Sequence, residues 1–63
     1  MTAEAFTNWL AAMKAAGLAV TDQDCANLLG WTRHGVIKAK KTGSTHTTAL
    51  ACAALLNGLA PYS

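Results

Sequence analysis

The sequence has few of the residues that mark an exported chain or a metal-binding one. Its 63 residues include 2 cysteines and 1 proline, and the cysteines do not form a C-x-x-C pair. Two cysteines are too few for a disulfide framework, and zinc ligands normally come in closely spaced pairs. We expect Cys25 and Cys52 to be small buried hydrophobic residues, with no metal or cofactor bound. A disulfide, or a Cys/His metal site with His34 and His46, is the lesser alternative.

Long apolar runs are also missing. No uninterrupted run approaches the ~20 residues that a membrane-spanning helix needs. Glu4 comes early and no basic segment precedes an apolar one, so we expect no signal peptide. A chain of 63 residues has room for one domain, residues 1–63, which buries only roughly 60% of its unfolded surface. We expect no enzyme, because paired carboxylates, a nucleophile–base set and a phosphate-binding glycine loop are all lacking.

Acidic residues are confined to the first half of the chain. Residues 1–32 hold three carboxylates and one lysine, a net charge of −2, whereas residues 33–63 hold four basic residues and no acid, a net charge of +4. Those four basic residues fall within nine consecutive positions. The simple interpretation is a solvated basic helix end. The more specific one is an anion-binding face, with nucleic acid as the leading ligand.

Capping residues and apolar spacing predict four helices and no strand, hence an all-α fold. Phe6, Trp9, Leu10 and Met13 recur at the i, i+3, i+4, i+7 spacing of one buried helix face. Thr and Gly residues supply starts and stops for each segment. A polar loop is expected at 43–47, with His46 as a loop residue. The predicted helices span 3–16, 22–29, 33–41 and 47–57.

Residues 22–41 resemble the helix-turn-helix of the lambda-repressor and Cro (XRE-type) family. That motif has alanine fifth, glycine ninth and a branched aliphatic residue fifteenth, and this chain has Ala26, Gly30 and Val36 there. Its other apolar positions are filled by Cys25, Leu29, Trp31 and Ala39. The resemblance covers roughly residues 18–59 and implies a small four- to five-helix lambda-repressor-like domain. Two positions depart from the family: Asp22 replaces a frequent glutamine and Lys40 a frequent glutamate.

One side of the third predicted helix is polar and basic. Each residue of a helix is rotated by about 100° from the one before. Val36 and Ala39 therefore fall at about 300° and 240° from Arg33, on the apolar side. The opposite side, between 0° and about 140°, carries Arg33, Ile37, Lys41, His34 and Lys38.

The resemblance implies that this helix enters the major groove of double-stranded DNA. The residues that would read base edges are Arg33, His34, Ile37 and Lys38. Arg33 would pair with guanine, and Ile37 would contact a thymine methyl group unless it belongs to the core. Gly35 would allow close approach to DNA. Contacts to the DNA backbone would come from Gln23, Thr32, Lys40, Lys41, Thr42, Ser44 and Thr45.

The fourth predicted helix has apolar residues on more than one side. One set would pack on the first helix, which leaves Leu55, Leu59 and Tyr62 for a second copy of the chain. A homodimer is expected because one short recognition helix reads only a few base pairs. The alternative is that residues 62–63 form a frayed tail.

The resemblance thus implies a cytoplasmic, nucleoid-associated regulator of transcription that binds specific sequences of double-stranded DNA. A Cro-like repressor or an autoregulated controller of a phage or mobile element fits, with no membrane or small-molecule partner. A protein-interaction module, such as an antitoxin or anti-activator, is the alternative. In that case Lys→Ala changes in the third helix would be nearly silent. An excisionase-type architectural role would require DNA bending.

Overall fold

A computed structural model describes residues 1–60 of the chain, and every regular element in them is an α-helix. The all-α class is thereby confirmed. Helix bounds agree with the predicted ones to within one residue, and His46, predicted in a loop, instead opens the last helix. None of the helices in this range is long and apolar enough to cross a membrane. The helices are α1 (Ala3–Ala15), α2 (Asp22–Leu29), α3 (Arg33–Thr42) and α4 (His46–Leu56).

Threonine side chains begin three of the four helices. Thr2 Oγ1 accepts a hydrogen bond from the N–H of Ala5 at 3.0 Å. Thr21 and Asp24 form a capping box, in which each side chain bonds the other residue's backbone N–H. Such bonds satisfy N–H groups that have no partner within the helix. Thr32 is the exception among the residues that precede a helix, because it has extended backbone angles before α3 but its side chain makes no capping hydrogen bond.

The core is organised around α1. Phe6, Trp9, Leu10 and Met13 are all buried, as their spacing predicts. They meet small residues from the other helices: Cys25, Ala26, Val36, Ala39 and Cys52. Both α3 and α4 pack against α1 and α2 but, in the part of the chain described, not against each other. The outer surfaces of α3 and α4 are therefore left open.

The turn between α2 and α3 occupies three residues. Gly30 has φ 72° and ψ 25°, the left-handed conformation that glycine adopts without steric cost. Its N–H donates to the carbonyl of Asn27, and the N–H of Trp31 donates to that of Ala26 at 2.8 Å. Ala26 is fully buried, so a small residue is needed where the chain reverses.

Trp31 extends the aromatic core toward α3. Its ring stacks on Phe6 with centroids 5.7 Å apart and planes 14° from parallel. A Cβ placed on Gly35 would lie 3.2 Å from the indole Cε3 of Trp31. Gly35 therefore faces the indole ring and gives it room. This packing accounts for the glycine without the close approach to DNA that the sequence suggests.

Met1 holds the loop between α3 and α4. The N–H of Ser44 donates to the carbonyl of Met1 at 2.8 Å, and the amino group of Met1 donates to the carbonyl of Ser44 at 2.9 Å. Gly43 beside them has φ 78° and ψ −166°, a backbone region that is essentially restricted to glycine. The start of α1 thus positions the loop that precedes α4.

Candidate nucleic-acid interface

The outward face of α3 carries the four residues that the sequence assigns to base reading. Arg33, His34, Ile37 and Lys38 are all exposed, whereas Val36 and Ala39 on the other side are buried. Ile37 is 41% exposed, so it is an apolar residue at the surface rather than a core residue. Neither Arg33 nor Lys38 takes part in the ion pairs found within residues 1–60.

Lys40 and Lys41 follow on the last turn of α3 but differ in their surroundings. Lys41 is exposed. The ammonium of Lys40 lies 3.0 Å from Oδ2 of Asp22, and the ammonium of Lys14 lies 2.6 Å from Oδ1 of the same carboxylate. Hydrogen bonds from Lys14 and then Lys40 lower the pKa of Asp22, and the bond to Asp22 raises the pKa of Lys14. Lys40 therefore already has an anionic partner in the protein.

The hydroxyl groups near α3 are mostly engaged. Thr42 donates to the carbonyl of Lys38 at 3.0 Å, and Ser44 donates to the hydroxyl of Thr48 at 2.8 Å. Thr45 accepts from the N–H of Thr48 and is the cap of α4. Thr32 is exposed and makes no such capping bond.

Gln23, the remaining predicted backbone contact, is exposed at the start of α2. Its amide nitrogen donates to the side-chain oxygen of Asn27, one helical turn later, at 3.1 Å. Its neighbour Asp24 bonds the N–H groups of Val20 and Thr21. Those bonds lower the pKa of the Asp24 carboxyl. Two carboxylates therefore stand beside the residue assigned to a phosphate contact.

A cleft runs between α3 and the loop that Met1 holds. Its volume is about 410 Å³. Lys38 stands on one side of it and Ser44 on the other, with the indole of Trp31 contributing to the wall. The cleft brings together four residues assigned to DNA contacts from two separate segments: Thr32, Lys38, Ser44 and Thr45.

A second open surface lies between the C-terminal ends of α2 and α4 and is apolar. A pocket of about 200 Å³ there is lined by Leu28, Leu29, Ala51, Ala54, Leu55, Leu59 and Ala60. Leu55 is half-buried and packs against the core, whereas Leu59 is 61% exposed. Tyr62, the third residue assigned to a dimer contact, lies outside the described residues.

Both cysteines are buried with free thiols, as the sequence predicts. Burial raises the pKa of Cys25, and it raises that of Cys52 to about 11. Such thiols are protonated at neutral pH and react slowly. Within residues 1–60 no three His, Cys, Asp or Glu side chains come together as metal ligands would.

The sequence alone does not connect Lys14 with the basic residues of α3. It lies on α1, outside the basic segment, yet Asp22 joins it to Lys40 of α3. No local pattern could have revealed this, because the three residues meet only when three helices pack.

Comparisons of the chain with protein-family models, curated proteins and solved structures found no match. The function must therefore be inferred from the geometry and charge of the site.

Proposed function

We propose that this chain is a sequence-specific double-stranded DNA-binding protein that regulates transcription, with α2 and α3 forming a helix-turn-helix of the lambda-repressor and Cro type. The observation that carries the proposal is the outward face of α3. It presents exposed Arg33, His34, Ile37 and Lys38, and no acidic residue follows Asp24 in the sequence. A basic helix face without carboxylates attracts the phosphate backbone and offers donors to base edges.

Arg33 is the main base-reading residue in this proposal. Its guanidinium can donate to both O6 and N7 of guanine, and one such bidentate contact discriminates against a wrong base by about 1–3 kcal/mol. His34 and Lys38 supply further donors along the same face. Ile37, exposed between them, is suited to an apolar contact with a thymine methyl group.

The phosphate contacts in this proposal begin with Lys41 and Thr32. Lys41 is exposed, and the Thr32 side chain makes no cap bond to α3. Thr42 and Ser44 would have to exchange their present hydrogen-bond partners, and Thr45 would have to keep its capping bond while meeting a phosphate. Gln23 would have to release Asn27. These four contacts are therefore expected to contribute less than that of Lys41.

The proposal includes a homodimer on a pseudo-palindromic operator, with Leu55 and Leu59 in the interface. Support comes from the pocket between α2 and α4, whose lining is apolar and carries no charge. An uncharged face can meet its own copy without repulsion between like charges. A dimer would also present two copies of α3, and half-sites about one DNA turn apart, roughly 34–36 Å, would accept them.

The test is a selection from sheared genomic DNA at about 150–200 mM salt, with sequencing of the retained fragments. Salt in this range suppresses binding that depends on charge alone. The proposal predicts an enriched motif with two-fold symmetry. Retention without any enriched motif, or no retention at all, would contradict it.

A protein-interaction module of the antitoxin or anti-activator class is the second candidate, and the exposed leucines favour it. Leu50 and Leu59 on or just after α4 are 60% and 61% exposed, and Leu28 on α2 is 44% exposed. Leu28 and Leu59 line one apolar pocket, and contiguous exposed apolar residues often mark a protein-binding surface. Under this candidate, Leu59→Ser would abolish partner binding, while Lys38→Ala and Lys41→Ala would leave it unchanged. A co-purification of each variant with its partner distinguishes the two functions.

A further inference from the structure

Asp22 occupies a position where three helices meet. It lies in the first turn of α2, between Lys14 in the last turn of α1 and Lys40 in the last turn of α3. Each carboxylate oxygen accepts from one ammonium group, at 2.6 and 3.0 Å. The ion pairs found in residues 1–60 all share this one carboxylate. It spans two cations much as two oxygens of a phosphate group would.

The three charged groups remain accessible to a ligand. The side chains of Lys14, Asp22 and Lys40 are 41%, 34% and 43% exposed. An ammonium group has three donors, so each lysine keeps two after bonding Asp22. Together with Arg33, these three side chains line a cleft of about 610 Å³, which is separate from the one beside Trp31. One carboxylate thus stands among three cations at the edge of the α3 face.

We propose that Lys14 and Lys40 together bind a backbone phosphate of double-stranded DNA, and that Asp22 competes with that phosphate and lowers affinity for DNA of any sequence. This inference rests on the proposed function and adds to it a DNA-contact residue, Lys14, on α1. It also assigns a role to an acid at the start of α2. Asp22 reduces the charge of the lysine pair from +2 to +1, so random DNA is held less tightly while base contacts by α3 are unaffected.

A purely structural role of Asp22, in which its bonds to Lys14 and Lys40 only hold α1 and α3 together, would give a different effect on DNA binding. Removing its charge would then loosen the packing of α3 and weaken DNA binding, or leave it unchanged. The competition proposal predicts the opposite sign. This difference in sign allows a single substitution to separate the two roles.

The experiment measures the affinity of the full chain for a random duplex of about 20 base pairs by fluorescence anisotropy, from about 50 to 200 mM salt. Asp22→Asn is expected to bind about three- to sevenfold tighter at about 100 mM salt. This range corresponds to removing one charge about 7 Å from a phosphate at an effective dielectric constant between about 40 and 80. The slope of log affinity against log salt is expected to steepen by about 0.9, the value for one phosphate contact.

Asp24→Asn is the matched control. It makes the same change in net charge in the same helical turn, but Asp24 bonds the backbone N–H groups of Val20 and Thr21 rather than a lysine. It is expected to change affinity by less than about twofold, because Asp24 pairs with neither Lys14 nor Lys40 and so does not compete with a phosphate for them. An equal gain in Asp22→Asn and Asp24→Asn would overturn the proposal, since the effect would then be one of net charge.

Lys14→Met tests the other half of the proposal and keeps the apolar part of the side chain. It is expected to lower affinity and to reduce the salt slope by about 0.9, and the gain from Asp22→Asn should shrink in its presence. Thermal unfolding by circular dichroism checks that each variant is folded. Unchanged affinity in folded Lys14→Met overturns the inference but leaves the proposed function standing, provided that Lys41→Ala weakens binding. Failure of the wild type to bind any duplex overturns both.

Discussion

Replacing Gly43 with alanine should destabilise the protein far more than the same change at Gly30. Both glycines have positive φ, at 78° and 72°. A Cβ on Gly30 would have no neighbour within 4 Å, whereas one on Gly43 would collide with the carbonyl oxygen of Met1 and lie 3.0 Å from the nitrogen of Ala3. The two variants therefore differ in the backbone conformation that alanine must adopt and in the contact with the start of the chain.

The magnitude follows from these two differences. Alanine in the left-handed conformation of Gly30 costs about 1–2 kcal/mol. The conformation of Gly43 costs about 1–3 kcal/mol for any other residue. Moving Met1 would also break its two hydrogen bonds with Ser44, each with a net contribution of about 0.5–1.5 kcal/mol. We expect a loss of about 4 kcal/mol for Gly43→Ala, against a total stability on the order of 3–9 kcal/mol for a chain of this length.

Urea and thermal unfolding of both variants, followed by circular dichroism, provide the assay. For a domain of this size about 1 kcal/mol shifts Tm by roughly 4–8 °C. Gly43→Ala should therefore melt at least about 15 °C below the wild type, and Gly30→Ala roughly 5–15 °C below it. Similar losses in the two variants would refute the reasoning, because the pairing of Met1 with the loop would then contribute nothing.

Three further predictions concern DNA binding, pH and the thiols. Arg33→Ala should weaken binding mainly to the cognate site, whereas Lys41→Ala should weaken cognate and random duplexes alike and lower the salt slope by about one, both measured by anisotropy. The pKa values of Asp22 and Asp24 are held below 3.8 by their hydrogen bonds. The stability that these carboxylates contribute is therefore present above about pH 4 and is lost as the pH falls through the lowered pKa values. Tm measured down to about pH 2 should show this loss, and a Tm that does not change with pH would contradict it. Because Cys52 is only 2% exposed and burial raises the pKa of its thiol to about 11, the thiol should react with a disulfide reagent at about pH 8 only as fast as the chain unfolds.

Features encoded within one helix could be predicted from the sequence. The buried stripe of α1 and the capping box at Thr21 depend on neighbours at most seven positions away. Gly30 was predictable for the same reason, since it follows the last apolar residue of α2. The exposure of Ile37 and Lys38 follows from helical rotation once Val36 is assigned to the core.

Features that depend on how helices pack could not be predicted. The position of Lys40 on α3 predicts a phosphate contact but gives no sign of its ion pair with Asp22, 18 residues earlier. The sequence offers close approach to DNA as a reason for Gly35, but it does not show that the indole of Trp31 lies beside this glycine. The neighbour that the sequence does not reveal lies on α2 in the case of Lys40 and in the turn before α3 in the case of Gly35.

His46 shows a local error with a local cause. Several polar residues in a row indicated a loop as far as Thr47, yet α4 begins at His46 because Thr45 caps it. A threonine in a polar segment can either belong to the loop or cap the next helix. Here the side chain of Thr45 accepts from the N–H of Thr48, so Thr45 caps α4 and the loop ends there.

The two tryptophans of this chain have unlike surroundings, which gives the molecule its own optical readout. Trp9 is buried and donates from its indole nitrogen to the carbonyl of Cys52 at 2.9 Å. Trp31 is partly exposed and forms one wall of the cleft between α3 and the loop before α4. A soluble quencher would therefore reduce the emission of Trp31 in preference to that of Trp9. A ligand seated in the cleft would shield Trp31, so occupancy of the α3 face can be followed by tryptophan emission without attaching a dye.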